Sequence, residues 1–209
     1  MNFLQFLTLW EALDPIERRN RKEMVKHFLS LSRYSKWNAD HSAEVAKLAR
    51  DFAKYLGLDA NKVAMSALTH DIGKTKIPKD ILHKPGKLSD EERHTMNSHA
   101  QEANSKLNSL TGVHGRLAKL AAIYDHTQPQ KLKTLQHEGH LSEEEVELIK
   151  IITIADIFEA LTSNSRPYKK TFTKPEALQL MTIIDIIDKP LFEKFKHWQL
   201  RDFKNEYRN

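Results

Sequence analysis

Cysteine is absent from the 209 residues of this chain, which excludes disulfide bonds and thiolate metal sites. Any metal ion would therefore be held by histidine, aspartate and glutamate side chains. The apolar segment 1–10 lacks a basic start and a small-residue cleavage site, and Gln5 and Glu11 interrupt the region. It is predicted to be neither a signal peptide nor a membrane span, and a cytoplasmic location is expected.

Glycine and proline are scarce, at 6 and 7 residues, while hydrophobic residues make up 40% of the chain. This composition is typical of a soluble helical protein with a substantial core. The 33 basic residues exceed the 28 acidic ones, and the net charge of +5 suits an anionic partner. Because basic and acidic side chains are interleaved along the chain, no groove for DNA or RNA is expected.

Apolar residues recur at helical spacing and no strand pattern is found, so the fold is predicted to be all-α. Helices are expected over 14–32, 38–56, 59–71, 89–110 and 115–126, with others opening at Ser142 and after Pro175 and Pro190. The segment 127–141 is predicted to be an irregular connection. Residues 37–209 are assigned to one domain, and residues 1–36 to a helical extension that shields the core or forms a homodimer surface.

The stretch 68–78 joins an apolar helix end to His70, Asp71, Gly73 and Lys74. Imidazole nitrogen suits iron, manganese or zinc and a carboxylate neutralises charge, so His70 and Asp71 can hold one metal ion or bridge two. Lys74 follows His70 by one helical turn, where its ammonium could meet a phosphate oxygen. A His-Asp dipeptide also occurs as a solvated helix end or a satisfied core pair.

Further histidines and aspartates recur on inward helix faces or at helix ends. They are His41, His99, Asp125, His126 and Asp156. Burying so many titratable groups is costly unless a compensating charge is present, and a pair of divalent cations would provide it. The alternative is that several of these side chains are exposed to solvent.

Several short motifs in this chain occur in a familiar order. They are HSAEVA at 41–46, HDIGK at 70–74, ILHKPGKLS at 81–89, ADIFEALTS at 155–163 and RPYK at 166–169. Together they resemble the successive motifs of HD-GYP domains, the branch of the HD phosphohydrolase superfamily that cleaves cyclic di-GMP. The resemblance extends from about residue 38 to residue 185.

The resemblance implies the helical HD fold and a centre of two divalent ions, iron or manganese. The implied ligands are His41, His70, Asp71, His99, His126 and Asp156, with Asp125 added where the family has a histidine. Asp71 and Lys74 would act in catalysis, and Lys74 would contact the scissile phosphate. Arg166 and Lys169 would bind substrate phosphate. The implied reaction is hydrolysis of a cyclic dinucleotide, in which a water between the two metals attacks phosphorus.

The chain departs from the family pattern in the positions that shape the substrate site. Asp125 replaces one histidine of a pair, and the Asp-Gly-x-Gly-Tyr-Pro loop that should follow is missing. The turn after Asp156 is one residue longer. Members with a third metal carry a glutamate four residues before the first ligand histidine, and Trp37 stands there, so two ions are expected. His137 and His140 are interpreted as solvated loop residues.

Three functional hypotheses remain open at this point. The first is a metal-dependent phosphodiesterase that acts on cyclic di-GMP or a related cyclic dinucleotide. The second is an HD phosphohydrolase that the altered loop redirects to another nucleotide or phosphomonoester. The third is a degenerate domain that binds a nucleotide or a signalling protein partner without hydrolysis.

Overall fold

The computed structural model describes residues 15–124, 127–164 and 170–206, and this part of the chain is built of helices without a strand. The prediction of an all-α fold is therefore confirmed. The first helices are α1 (Pro15–Tyr34), α2 (Lys36–Leu56), α3 (Ala60–Thr69), α4 (Lys79–Leu82), α5 (Asp90–Asn97) and α6 (His99–Lys106). They are followed by α7 (Gly112–Tyr124), α8 (Pro129–His137), α9 (Glu143–Thr162), α10 (Lys174–Met181) and α11 (Lys189–Glu206).

Helix α9 runs through the core and is buried on nearly all sides. Its middle section Leu148–Phe158 is mostly apolar, and all but one of its apolar side chains are buried. A helix that is apolar all round needs neighbours on every face. Helices α2, α7, α10 and α11 pack against it, while α3 packs against α2 and α7.

The helix starts follow the capping signals in the sequence. Ser142 and Ser89 each form a complete capping box with the glutamate three residues later. Asp59 accepts hydrogen bonds from two backbone N–H groups at the start of α3. Helix α2 ends at Gly57, whose φ of 75° is a left-handed conformation that glycine adopts without steric cost.

Two predicted elements differ from the structure. The segment 127–141 was expected to be irregular, but it contains α8, which begins at Pro129 and buries Leu132. The apolar face of this short helix consists of Leu132 and Leu135. Two apolar residues among polar ones are too few to give a clear helical periodicity in the sequence. The single helix expected over 89–110 is divided at Ser98, whose hydroxyl donates to the Thr95 carbonyl at 2.8 Å where α5 ends.

None of the described helices combines the length and the apolarity needed to cross a lipid bilayer.

An aromatic cluster attaches α11 to the rest of the core. The ring of Phe195 lies 5.1 Å from that of Phe52 on α2 and 5.2 Å from that of Phe158 on α9. Trp198 stacks on Phe52 at 5.4 Å. Edge-to-face and stacked pairs of this kind add to the stabilisation that comes from burying the rings.

Replacing Phe195 by alanine should lower the free energy of unfolding by about 3 to 5 kcal/mol, because the fully buried ring leaves a cavity among three aromatic neighbours. Chemical denaturation of the two proteins measures this loss. Leu200→Ala is the matched control, since Leu200 lies on the same helix but is 41% exposed. A loss below about 1 kcal/mol for Phe195→Ala would contradict the role given to the cluster.

Candidate metal centre

The end of α3 brings His70 and Asp71 into the interior of the protein. Every residue from Val63 to Thr69 is buried, and His70 and Asp71 follow directly, each 2% exposed. A 3₁₀ turn over Ile72–Lys76 then leads the chain away. The pair is therefore buried at the end of α3, as the sequence predicts.

Helices α2 and α9 bring His41 and Asp156 to the same place. His41 is 3% exposed and Asp156 is 6% exposed. The His41 Nε2 atom lies 2.7 Å from Asp156 Oδ1 and 3.8 Å from Asp71 Oδ2. His70 Nε2 lies 3.5 Å from Asp71 Oδ2 and 4.0 Å from Asp156 Oδ1. One donor atom from each of His41, His70 and Asp71 falls within a common span of 4.8 Å, which suits a shared metal ion.

Backbone carbonyls fix which imidazole nitrogen faces the pocket. His70 Nδ1 donates to the Ala67 carbonyl, and His99 Nδ1 donates to the Met96 carbonyl, both at 2.6 Å. The lone pair of each ring is therefore on Nε2, the nitrogen that metal-binding histidines commonly present. Among the described residues, the buried His70 Nε2 has no hydrogen-bond partner. A buried nitrogen without a partner is costly, and a metal ion would satisfy it.

His99 lies at the edge of this cluster. Its Nε2 atom is 3.7 Å from Asp71 Oδ1, and its side chain is 22% exposed. Burial lowers the pKa of His99, and the ammonium of Lys74 acts in the same direction against the opposing charge of Asp71. The neutral form is therefore favoured, which is the form that binds metals.

The charged groups of this cluster shift one another's pKa values. Burial opposes protonation of His41, but the carboxylates of Asp156, Glu159 and Asp71 outweigh it and raise the pKa of His41 to about 9. Burial also opposes ionisation of Asp71, yet Lys74 and the three histidines around it hold the pKa of that carboxyl well below its usual range. The cluster thus keeps Asp71 ionised and favours positive charge beside its carboxylates. Its donors fit a divalent cation such as iron, manganese or zinc.

Glu159 is a site residue that the sequence reasoning missed. Its carboxylate is 8% exposed and accepts a short hydrogen bond from His41 Nδ1, so it fixes the ring with Nε2 toward Asp156. Carboxylates in this position orient a metal ligand and raise its basicity. The available signal was a second acid three residues after Asp156, on the same face of an apolar helix.

Lys74 and Gly73 belong to the 3₁₀ turn beside the cluster. The Lys74 ammonium forms a close ion pair with Asp71 Oδ2, and its side chain remains 16% exposed. Gly73 lies against α6 so tightly that a Cβ atom there would be 1.8 Å from the His99 carbonyl oxygen and 2.6 Å from Ala103 N. Only glycine permits this approach, which brings His99 to Asp71.

The remaining predicted site residues are Asp125, His126, Arg166 and Lys169, and all four lie outside the described residues. The structure thus brings together His41, His70, Asp71, His99, Asp156 and Lys74. His137 and His140, which were expected to be solvated, are both exposed.

Comparison with known proteins adds independent information. The HD domain family matches this chain over residues 23–183. The chain is 31% identical over 151 residues to 3'3'-cGAMP-specific phosphodiesterase 1 of Vibrio cholerae, covering 70% of this chain and 34% of that protein. It is 28% identical over 174 residues to the cyclic di-GMP phosphodiesterase response regulator RpfG of Xanthomonas campestris, covering 81% of this chain and 45% of the relative. The chain therefore spans less than half the length of these relatives.

A solved structure supports the fold. The HD domain of the L. monocytogenes phosphodiesterase PgpH, in complex with cyclic-di-AMP, superposes with a TM-score of 0.60 at 16% sequence identity. The match covers 88% of this chain and 98% of that domain.

The variant His70→Ala should lose bound metal, because it removes a buried donor at the centre of the cluster. A chelator should lower the melting temperature of the wild-type protein and leave that of the variant unchanged, since bound metal stabilises only the folded state. Elemental analysis and thermal unfolding measure the two effects. His137→Ala, which removes an exposed histidine, is the matched control. Full metal content in His70→Ala would contradict this assignment.

The variant Glu159→Gln should weaken metal binding by about 10- to 100-fold, because the amide no longer draws the Nδ1 proton of His41 with a full negative charge. Competition with a chromogenic chelator gives the affinity. Glu143→Gln serves as the control, since Glu143 is an exposed residue of the same helix. Equal affinities for the two variants would show that Glu159 does not support His41.

Proposed function

Because this chain belongs to the HD domain family, we propose that it hydrolyses a phosphodiester bond of a cyclic dinucleotide at a metal centre. The observation that carries this proposal is the buried cluster in which donor atoms of His41, His70 and Asp71 fall within 4.8 Å of one another. The carboxylate of Asp156, 2.7 Å from His41, adds a further donor to the same pocket.

We propose two divalent ions, iron or manganese, for this centre. The proposed ligands are His41, His70, Asp71, His99, Asp125, His126 and Asp156. Their mixture of imidazole and carboxylate donors suits these metals better than magnesium or calcium, which prefer oxygen ligands alone. Such ions, when bound, supply an activated water and neutralise charge that develops on phosphoryl oxygens.

The chain's own residues would prepare the site for substrate. Asp71 remains ionised, because Lys74 and the neighbouring histidines lower its pKa, and this keeps its oxygens available as donors. Asp156 offers a second carboxylate 2.7 Å from His41. The Lys74 ammonium is held beside Asp71 and still reaches solvent, so it can donate a hydrogen bond to a phosphate oxygen from a fixed position. Arg166 and Lys169 are proposed to bind the substrate phosphates from the neighbouring turn.

The substrate class is supported by the names of the similar proteins. Two relatives are named as phosphodiesterases for 3'3'-cGAMP and cyclic di-GMP, and the solved HD domain is in complex with cyclic-di-AMP. These compounds share two phosphodiester bonds and two purine bases. The net charge of +5 favours such an anionic ligand over a neutral one. Cyclic di-GMP is the first candidate.

Metal analysis and hydrolysis of cyclic di-GMP, 3'3'-cGAMP and cyclic di-AMP on the same anaerobically purified sample test this proposal. We expect about two equivalents of iron or manganese, together with linear dinucleotide or mononucleotide product. Bound metal without turnover of any of the three would instead favour a different phosphoester. A protein without metal affinity would contradict the enzymatic proposal and leave a nucleotide-binding or protein-binding module.

Lys74→Ala should retain metal and lower kcat by about 10²- to 10³-fold, because it removes a positioned positive charge from the developing transition state. Steady-state kinetics and elemental analysis separate the two effects, and Lys74→Arg should recover part of the activity. Lys76→Ala is the matched control, since Lys76 belongs to the same turn and is exposed. Full activity of Lys74→Ala would show that the ammonium has no catalytic part.

A further inference from the structure

Trp37 lies one turn before His41 on α2. Four residues correspond to about 6 Å along a helix, and side chains at this spacing share one face. Trp37 and His41 therefore share one face of α2, with Trp37 closer to the start of the helix. An indole offers no oxygen or nitrogen lone pair to a metal ion, so this position contributes an aromatic surface to the site.

A second ring is held next to Trp37. The centroid of the His83 ring lies 5.2 Å from that of Trp37, and the two planes are tilted by 53°. His83 Nε2 is 3.0 Å from the hydroxyl of Ser35, which also accepts a hydrogen bond from the Asn38 side chain at 2.8 Å. Ser35 and Asn38 are both buried, so Asn38 holds the Ser35 hydroxyl in place and Ser35 in turn holds the ring of His83.

The surroundings of Trp37 differ from those of a core tryptophan. Trp198 packs on the hydrophobic core and contacts three aromatic rings, those of Phe52, Tyr55 and Phe195. Trp37 instead pairs with the polar ring of His83, and both side chains are partly exposed. A large, partly exposed aromatic side chain on the helix face that carries His41 points to a ligand with an aromatic face.

We propose that Trp37, with His83 beside it, stacks on a purine base of the cyclic dinucleotide. This inference rests on the proposed function, since it requires the phosphate of the ligand to lie at the metal centre. Stacking recognises the π-face that every base has, so the platform should accept guanine and adenine alike. It would make the enzyme prefer nucleotides over phosphodiesters that carry no base.

Kinetics of Trp37→Ala and Trp37→Phe test the platform. Trp37→Ala should raise the KM for cyclic di-GMP by roughly tenfold to a hundredfold, the usual effect of removing one stacked aromatic side chain. The KM for the abasic analogue of cyclic di-GMP, in which both guanines are replaced by hydrogen, should change much less, because this analogue has no aromatic ring. Trp37→Phe keeps an aromatic face and should recover most of the difference. If Trp37→Ala changes both substrates equally, Trp37 only packs against its neighbours and the inference is wrong.

Tryptophan fluorescence gives a readout that does not depend on catalysis. Binding of cyclic di-GMP should quench the emission of the wild-type protein and of Trp198→Phe, whereas Trp37→Phe should lose the quenching. Ribose 5-phosphate should quench none of them, because it lacks a base. Quenching that survives in Trp37→Phe would assign the signal to another tryptophan and overturn the inference.

The two proposals can fail separately. If cyclic di-GMP quenches Trp37 but is not hydrolysed, the stacking inference holds and the proposed activity is wrong. If cyclic di-GMP is hydrolysed with an unchanged KM in Trp37→Ala, the activity holds and the stacking inference is wrong.

Discussion

Carboxylates buried inside a helical core impose the main physical constraint on this protein. Asp71, Asp156 and Glu159 are each less than 10% exposed, and an uncompensated buried carboxylate costs several kcal/mol. Their neighbours, His41 and Lys74 above all, offset this cost at short range. The consecutive helices α2 and α3 must therefore meet the distant helix α9 at one point, where His41, Asp71 and Asp156 come together.

The same helices build the core and the metal centre, so stability and metal binding are linked. Helix α9 buries apolar side chains over most of its length and carries Asp156 and Glu159 in its last turns. Helix α2 contributes His41 from a face that otherwise packs against α3 and α9. The candidate donors His41 and Asp156 thus lie within long helices, whereas His83, the neighbour of Trp37, lies at the end of the short helix α4.

Local signals in the sequence were sufficient for most of the helices and for the position of His70 and Asp71 at a helix end. The assembly of His41, His99 and Asp156 around them could be expected only from the family resemblance, because periodicity does not show which helix faces meet. Helix α8 was missed since only Leu132 is buried among polar residues. Glu159 was missed because its partner His41 is 118 residues away, and no local pattern reports such a hydrogen bond.

The contact of Gly73 with the backbone of α6 leaves no room for a substitution at this position. The distance between His99 and Asp71 depends on this contact between two backbone segments, and no side chain could move to relieve a clash there. Trp37 and His83, in contrast, make their contact through side chains that can be exchanged individually. A redesigned version of this protein could therefore vary that surface while the spacing of His99 and Asp71 stays the same.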